Sequence, residues 1–173
     1  DVTDAPKCII AGNHIDRYFQ WLNQNPAVMA LEEFELDRVL KLKDFGYEPM
    51  VNSIYFDAVI NSDYPDPKLI IHHGSVSRRN AGNSAKAESE NRGFVNSVSG
   101  HTHRLSASYR RTMRGQVLQA EGGTLRTLQP GWMEYPDWCQ GFLILDYNPK
   151  PRYVAAHPVP IINGEAIVHG KKI

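Results

Sequence analysis

Short apolar runs that end in glycine and histidine recur along the first two thirds of the chain. Residues 8–11 precede Gly-Asn-His, residues 69–71 precede His-His-Gly, and residues 94–98 precede Ser-Gly-His-Thr-His. Each run has the length of a buried strand, and its glycine favours a turn just beyond the strand. Because strand-end loops carry functional groups in α/β proteins, the three junctions predict one shared site.

Helical patterns alternate with these strands. A short helix is predicted from Asp16 to about Asn23, where Asn25-Pro26 interrupts the pattern. The run from Ala27 to Leu42 is rich in strong helix formers and predicts a longer helix with one core-facing stripe. That stripe is formed by Leu36, Val39 and Leu40.

The second half of the chain is mostly strand-like. A helix from Asn83 to about Asn91 precedes it, because Asn83-Ser84 favours a helix start and Gly93 a helix end. Residues 129–139 predict an irregular loop. The predicted strands comprise one or two within 47–60, before a loop at 63–67, and others at 106–109, 116–120, 141–146, 153–158 and 161–169.

The composition is that of an ordinary globular domain. The 173 residues are 42% hydrophobic and 22% charged, and a single domain over residues 1–173 is the natural expectation. No apolar run approaches the ~20 residues of a membrane helix, so no membrane partner is expected. Cys8 and Cys139 do not make a disulfide framework, Cys8 is expected to be buried, and a cytoplasmic location is the default.

The charges are balanced overall but not locally. The formal net charge is zero, which gives no global indication of nucleic-acid binding. Residues 101–130 nevertheless hold five arginines (104, 110, 111, 114 and 126) against the single acid Glu121. This bias suits phosphate or a phosphodiester backbone, although a solvated strand face is an equal explanation for residues 110–114.

The histidine junctions carry the candidate chemistry. Gly100 is expected to end a strand and to let the rings of His101 and His103 face one centre. Imidazole nitrogen is a good ligand for transition metals, so a strand-end His-x-His predicts a metal site. At the second junction, His72 and His73 are both candidates.

The three junctions resemble a known family. Gly12-Asn13-His14, His73-Gly74 and Gly100–His103 resemble the third, fourth and fifth signature motifs of the calcineurin-like metallophosphoesterases. Residues 81–86, 121–125 and 138–142 also resemble phosphoesterases of phages and prophages. The resemblance runs from about residue 7 to about residue 147.

The resemblance implies a fold and an activity. The fold would be the C-terminal part of a metallophosphoesterase-like α/β sandwich, with mixed β-sheets flanked by helices. The activity would be hydrolysis of phosphomonoesters or phosphodiesters, with nucleic acid among the possible substrates, in a cytoplasm that would be the host's if a phage encodes the chain. Two divalent cations would supply the chemistry, with manganese favoured and iron, zinc or nickel as alternatives.

The resemblance also implies residue roles. Asn13, His73 and His101 would hold one metal, and His103 would hold the other. His14 would be the acid that protonates the leaving oxygen. Arg104 lies beside the motif and is expected to contact phosphate, whereas Glu121 and Trp138 match the relatives without an assigned role.

The family's first two motifs, Asp-x-His and Gly-Asp-x-x-Asp, have no match in this sequence. A preceding segment or a partner chain is therefore expected to supply the missing Asp and His ligands. The alternative is a catalytically inactive module of the same fold that binds nucleic acid, nucleotide or protein. A structural zinc domain is disfavoured because the usual cysteine pairs are absent.

Overall fold

The computed structural model describes residues 5–48, 50–56, 69–113, 115–148 and 153–173. These residues divide into two compact units, Asp1–Ile54 and Tyr55–Ile173. The expectation of a single domain remains a prediction. The loop predicted at 63–67, the end of the strand region at 57–60 and Arg114 lie outside the described residues.

The described residues of the first unit contain three short helices and two 3₁₀ turns. They are α1 (Asn13–Gln24), α2 (Pro26–Met29), a turn at Glu32–Phe34, α3 (Leu36–Val39) and a turn at Lys43–Phe45. Helix α1 begins three residues before the predicted start because Gly12 is its N-cap, and the Gly12 carbonyl accepts the amide of Ile15 at 2.8 Å. Asn13 and His14 therefore lie in the first turn of α1 and not in a loop.

The single helix predicted from Ala27 to Leu42 is wrong. Leu31 and Glu35 adopt extended backbone conformations and separate α2, the first 3₁₀ turn and α3. The break lets Arg38 pair with Glu32 at 2.8 Å and with Glu35 at 3.4 Å, although a six-residue spacing would not place Glu32 beside Arg38 on one helix. The predicted core stripe is also wrong, since Val39 and Leu40 are exposed and Leu42 is buried instead.

The strand predicted at residues 8–11 is present only as two isolated parallel bridges. Lys7 pairs with Tyr47, and Ile10 pairs with Val51. Cys8 is exposed, so its predicted burial is wrong. A segment joined to its neighbour by isolated bridges does not enclose the side chains between them, which explains the exposed thiol.

The second unit is organised by a five-stranded sheet in the order β1-β2-β3-β5-β4. Strands β2, β3 and β5 are parallel, and β4 pairs antiparallel with β5. The mixed α/β class and its mixed sheet are confirmed. The strands are β1 (Ser53–Phe56), at the boundary of the two units, β2 (Leu69–His72), β3 (Ser97–Ser99), β4 (Leu105–Thr112) and β5 (Gly115–Gly122).

An antiparallel hairpin follows the sheet. It consists of β6 (Gly141–Asn148) and β7 (Tyr153–Pro160), so the strands predicted at 141–146 and 153–158 are confirmed and slightly longer. The strand predicted at 161–169 is instead a small hairpin of β8 (Ile167–Val168) and β9 (Lys171–Lys172). The predicted helix at Asn83–Asn91 is confirmed as α4, and the predicted loop at 129–139 contains no helix or strand.

The two faces of the sheet differ in chemistry because strand side chains alternate. Val98, Leu118 and Ala120 pack with Val154 and Ala156 of the β6–β7 hairpin and form the apolar core. The residues between them are polar, and they are buried on the side that α4 covers. This polar layer consists of His72, Ser97, Ser99, Gln119 and Glu121 of the sheet and Ser84, Glu88 and Ser89 of α4.

Among the described residues, no helix combines the length and the apolar character that crossing a membrane requires.

Candidate metal-binding site

The loops that follow β2 and β3 lie against each other at one edge of the sheet. The Gly100 amide donates to the carbonyl of His73 at 2.8 Å. Gly74 adopts φ 91°, and a Cβ at this position would lie 3.2 Å from Cβ of Ser99 and 3.7 Å from Cβ of His101. Glycine is therefore required here both by the backbone angle and by the close approach of the loops.

The two loops bring His73 and His101 together. Nε2 of His73 lies 3.2 Å from Nδ1 of His101, and the ring centroids are 5.1 Å apart. His101 and His103 both adopt left-handed backbone angles, with φ 62° and 60°. Such angles are uncommon outside glycine and persist where the surrounding structure enforces them, often at functional sites.

The separation of the two nitrogens fits a shared cation. Imidazole nitrogens bind zinc at about 2.0–2.1 Å, so two neighbouring imidazole ligands on one such cation have nitrogens about 3.0–3.4 Å apart. The observed 3.2 Å between His73 and His101, at which the two rings make a hydrogen-bond contact, also lies in this range. In the part of the chain that the structure describes, however, no group of three or more His, Cys, Asp and Glu side chains is arranged to hold a metal.

His103 makes a different contact from His101. Its ring packs edge to face on Trp138, with the centroids 4.4 Å apart. The left-handed angles at His101 and His103 redirect the chain at each histidine. The structure thus pairs His101 with His73 and places His103 against an indole ring.

His72 and His73 occupy different environments. His72 is buried in the polar layer, where Nε2 lies 2.9 Å from Ser97 Oγ and Nδ1 lies 3.3 Å from Arg92 Nη2. Burial, together with the charge of Arg92, lowers the pKa of His72 from 6.5 to about 4. Both ring nitrogens of His72 have protein partners, and the choice of His73 as the candidate ligand remains a prediction.

Glu121 holds the loop that carries His101 and His103 in place. Its fully buried carboxylate accepts hydrogen bonds from Thr102 Oγ1 at 2.8 Å, Ser106 Oγ at 2.9 Å and the Gly82 amide at 2.5 Å. Thr102 lies between the two histidines, so Glu121 connects them to the start of α4. The acid among five arginines was visible in the sequence, but its position under this loop was not.

Glu88 anchors the second loop in a similar way. Its Oε1 accepts the amides of Ser75 at 2.5 Å and Val76 at 2.7 Å, directly after His73-Gly74. Burial raises the pKa of Glu88, but these backbone hydrogen bonds and the charges of His72 and Arg92 together outweigh that effect, so the net pKa is lowered. The sequence contains no signal for this role, because Glu88 resembles any polar residue of a short helix.

Arg104 is held by two other loops. It is buried, its Nε donates to Asp137 at 2.8 Å, its Nη2 lies 2.5 Å from the same carboxylate, and its Nη1 donates to the carbonyl of Arg78. The guanidinium therefore joins the loop before α4 to the loop that contains Trp138. Its predicted contact with phosphate remains a prediction.

Asn13 and His14 lie at the start of α1 in the first unit, and His14 is exposed. The other candidate residues belong to the second unit. The roles of Asn13 as a ligand and of His14 as an acid remain predictions.

Comparisons with known proteins add no family assignment. No family model, no curated protein and no solved structure matches this chain.

Proposed function

We propose that the chain is the C-terminal part of a metallophosphoesterase-like enzyme that hydrolyses phosphate esters at a two-metal centre. The observation that carries the proposal is the His73–His101 pair, whose nitrogens lie 3.2 Å apart at the ends of two parallel strands. This separation suits two ligands of one cation. The resemblance of the three histidine-bearing motifs to the family supports the same function and the same α/β sandwich.

The proposed roles follow the predicted ligand set. His73 and His101 hold one cation, and His103 contributes to the second. Glu121 and Glu88 are positioning residues, because they hold the two histidine loops through Thr102 and the amides of Ser75 and Val76. Hydrogen bonds that orient ligands in this way commonly contribute 10–100-fold to metal affinity.

The bound cations would neutralise the charge of the phosphate and supply a nucleophilic hydroxide. The resemblance assigns the role of the acid to His14, and this role stays a prediction. Carboxylates from a preceding segment or a partner chain would complete the centre, because neutral ligands alone forgo the charge attraction for a divalent cation.

A second candidate function is an inactive module of the same fold that binds nucleic acid, nucleotide or protein. The observation in its favour is that no group of three potential ligands is assembled among the described residues. The two candidates differ in whether metal binding supports hydrolysis.

Hydrolysis of bis-p-nitrophenyl phosphate and p-nitrophenyl phosphate with manganese tests the proposal. The chain, alone or with the chain that supplies the carboxylates, should hydrolyse at least one of the two esters. His101→Ala should abolish this activity, and His169→Ala in the β8–β9 turn should leave it unchanged. Activity that survives both His73→Ala and His101→Ala would overturn the proposal, and metal binding without hydrolysis would favour the inactive module.

A further inference from the structure

Aromatic rings are concentrated in the loop next to His103. Trp132 is 67% exposed and lies edge to face against Trp138, with the centroids 5.6 Å apart. The guanidinium of Arg126 lies over the Trp138 ring at 5.2 Å. Trp138 in turn contacts His103. We call Trp132, Trp138 and Arg126 the aromatic platform.

The apolar core does not account for this platform. The buried cluster of the second unit is built from β2, β3, β5 and β7, and it does not include either tryptophan. An exposed indole beside a second indole and a guanidinium is a favourable surface for a flat π system, because bases stack on aromatic rings and on Arg planes. The platform thus presents a stacking surface next to the candidate metal ligands.

A basic cleft is formed by the loop before α4 and by α4 itself. Arg78, Arg79 and Lys86 line a cleft of about 380 Å³ together with Asn83 and Glu90. Among the described residues, none of these three cations is paired with a carboxylate. Arg104 connects the cleft to the platform, because it bonds both the carbonyl of Arg78 and Asp137, the residue before Trp138.

We propose that the aromatic platform and the basic cleft bind a nucleobase carried on phosphate, as in a nucleotide or a single strand of nucleic acid. The base stacks on Trp132, and the phosphates are held by Arg126 and by the cations of the cleft. This inference deepens the proposed function, on which it rests for the chemistry at His73 and His101, by naming the substrate class. The exposed rings make stacking tolerant of base identity.

Binding is measured on the full chain in EDTA at low salt, so that neither metal nor hydrolysis is needed. The probes are a fluorescently labelled ten-nucleotide thymidine strand, thymidine monophosphate and inorganic phosphate. The strand should bind, and its affinity should fall as salt rises because cations contact its phosphates. Mononucleotide binding as tight as that of the strand would support a nucleotide ligand, and tighter strand binding would support a nucleic acid.

Trp132→Ala should weaken binding of the nucleobase ligand about tenfold, because loss of one stacking ring removes ~1.4 kcal/mol or more. Tyr153→Ala on β7 is the matched control, since Tyr153 is an exposed aromatic residue outside the platform. Arg79→Glu should also weaken binding, whereas Lys171→Glu on β9 should not. Trp132→Phe should retain part of the affinity, which separates stacking from misfolding.

Binding that is equal for the parent chain and Trp132→Ala would overturn the proposal, as would the absence of binding by both nucleobase probes. Inorganic phosphate that competes as well as the mononucleotide would also overturn it, because the base would then contribute nothing. Hydrolysis can fail while stacking succeeds. Binding without hydrolysis would contradict the proposed enzyme activity but would still support the nucleobase site.

Discussion

The two faces of the central sheet are made by the same strands but are covered through different kinds of interaction. On β5, Leu118 and Ala120 face the β6–β7 hairpin, and Gln119 and Glu121 face α4. The first face is closed by apolar packing, which is non-directional and accounts for most of the folding free energy. The second is closed by hydrogen bonds, which are directional and fix particular loops.

The comparison explains how the candidate ligands are held. The loops carrying His73 and His101 leave the sheet at its edge, and both are tied to buried carboxylates of the polar layer, Glu88 and Glu121. We therefore expect changes on the apolar face to act on stability, and changes on the polar face to act on metal binding as well.

The largest expected effect on stability comes from the apolar face. Leu118→Ala should lower the free energy of unfolding by about 2–5 kcal/mol, because Leu118 is fully buried and its truncation leaves a cavity. Urea unfolding measures the change. Leu125→Ala, at a 74% exposed leucine, should change stability by less than ~0.5 kcal/mol. A comparable loss in both variants would show that the assigned core is wrong.

The polar face should make the fold sensitive to acid. The folded pKa of His72 is about 4, below its ordinary 6.5, so the unfolded chain binds the proton more readily between these values. The stability that this lowered pKa provides is therefore present above pH 6.5. It is lost as the pH falls towards 4, by at most roughly 3 kcal/mol. The lowered pKa of Glu88 adds a further loss below its ordinary 4.5.

Urea unfolding from pH 7.5 to 4 in EDTA measures this dependence. His72→Gln should flatten the pH profile, because it removes the titrating ring while keeping a polar side chain. His157→Gln, at an exposed histidine on β7, is the comparison variant and should retain the acid sensitivity that depends on His72. A parent profile that is already flat over this range would contradict the burial of a neutral His72.

A substitution on the polar face should change metal binding as well as stability. Glu121→Gln should lower the free energy of unfolding by about 1–3 kcal/mol, because an amide cannot satisfy the three donors that the carboxylate accepts. It should also weaken manganese binding about tenfold through the loosened His101–His103 loop. Calorimetric titration checks the affinity, with Glu165→Gln near β8 as the control. Unchanged affinity would remove Glu121 from the support of the site.

The smallest effect is expected at Gln119. Its Nε2 is buried and has no hydrogen-bond partner among the described residues. Gln119→Met has a similar volume and removes this cost, so the free energy of unfolding should stay level or rise by up to ~1 kcal/mol. A clear loss of stability in urea would show that Nε2 has a partner in solution.

The sequence predicted several strands well where short apolar runs are bounded by turn residues. The runs at 116–120, 141–146 and 153–158 each contribute side chains to the apolar core or pack against it. The run from Ala27 to Leu42 was mistaken for one helix, because strong helix formers outnumber the interruptions. The segment is broken by extended residues at Leu31 and Glu35 and by the pairing of Arg38 with two glutamates. Helix propensity does not include such contacts.

The sequence predicted part of the site. A histidine after each parallel strand predicts proximity, because the ends of such strands meet at one edge, and His73 and His101 do meet. His101 and His103 make separate ring contacts and both adopt left-handed backbone angles, which a His-x-His spacing does not reveal. The carboxylates beneath the loops depend on tertiary packing, so Glu88 carried no signal.

The central claim is a metal site at the ends of β2 and β3, and manganese binding to the full chain, measured by calorimetry or equilibrium dialysis, tests it most directly. The account predicts at least one bound manganese ion per chain. His73→Ala and His101→Ala should each abolish its binding, while His157→Ala and His169→Ala should retain it. Manganese binding that is unaffected by His73→Ala and His101→Ala, or no binding to the folded parent chain, would contradict a metal site at the ends of β2 and β3.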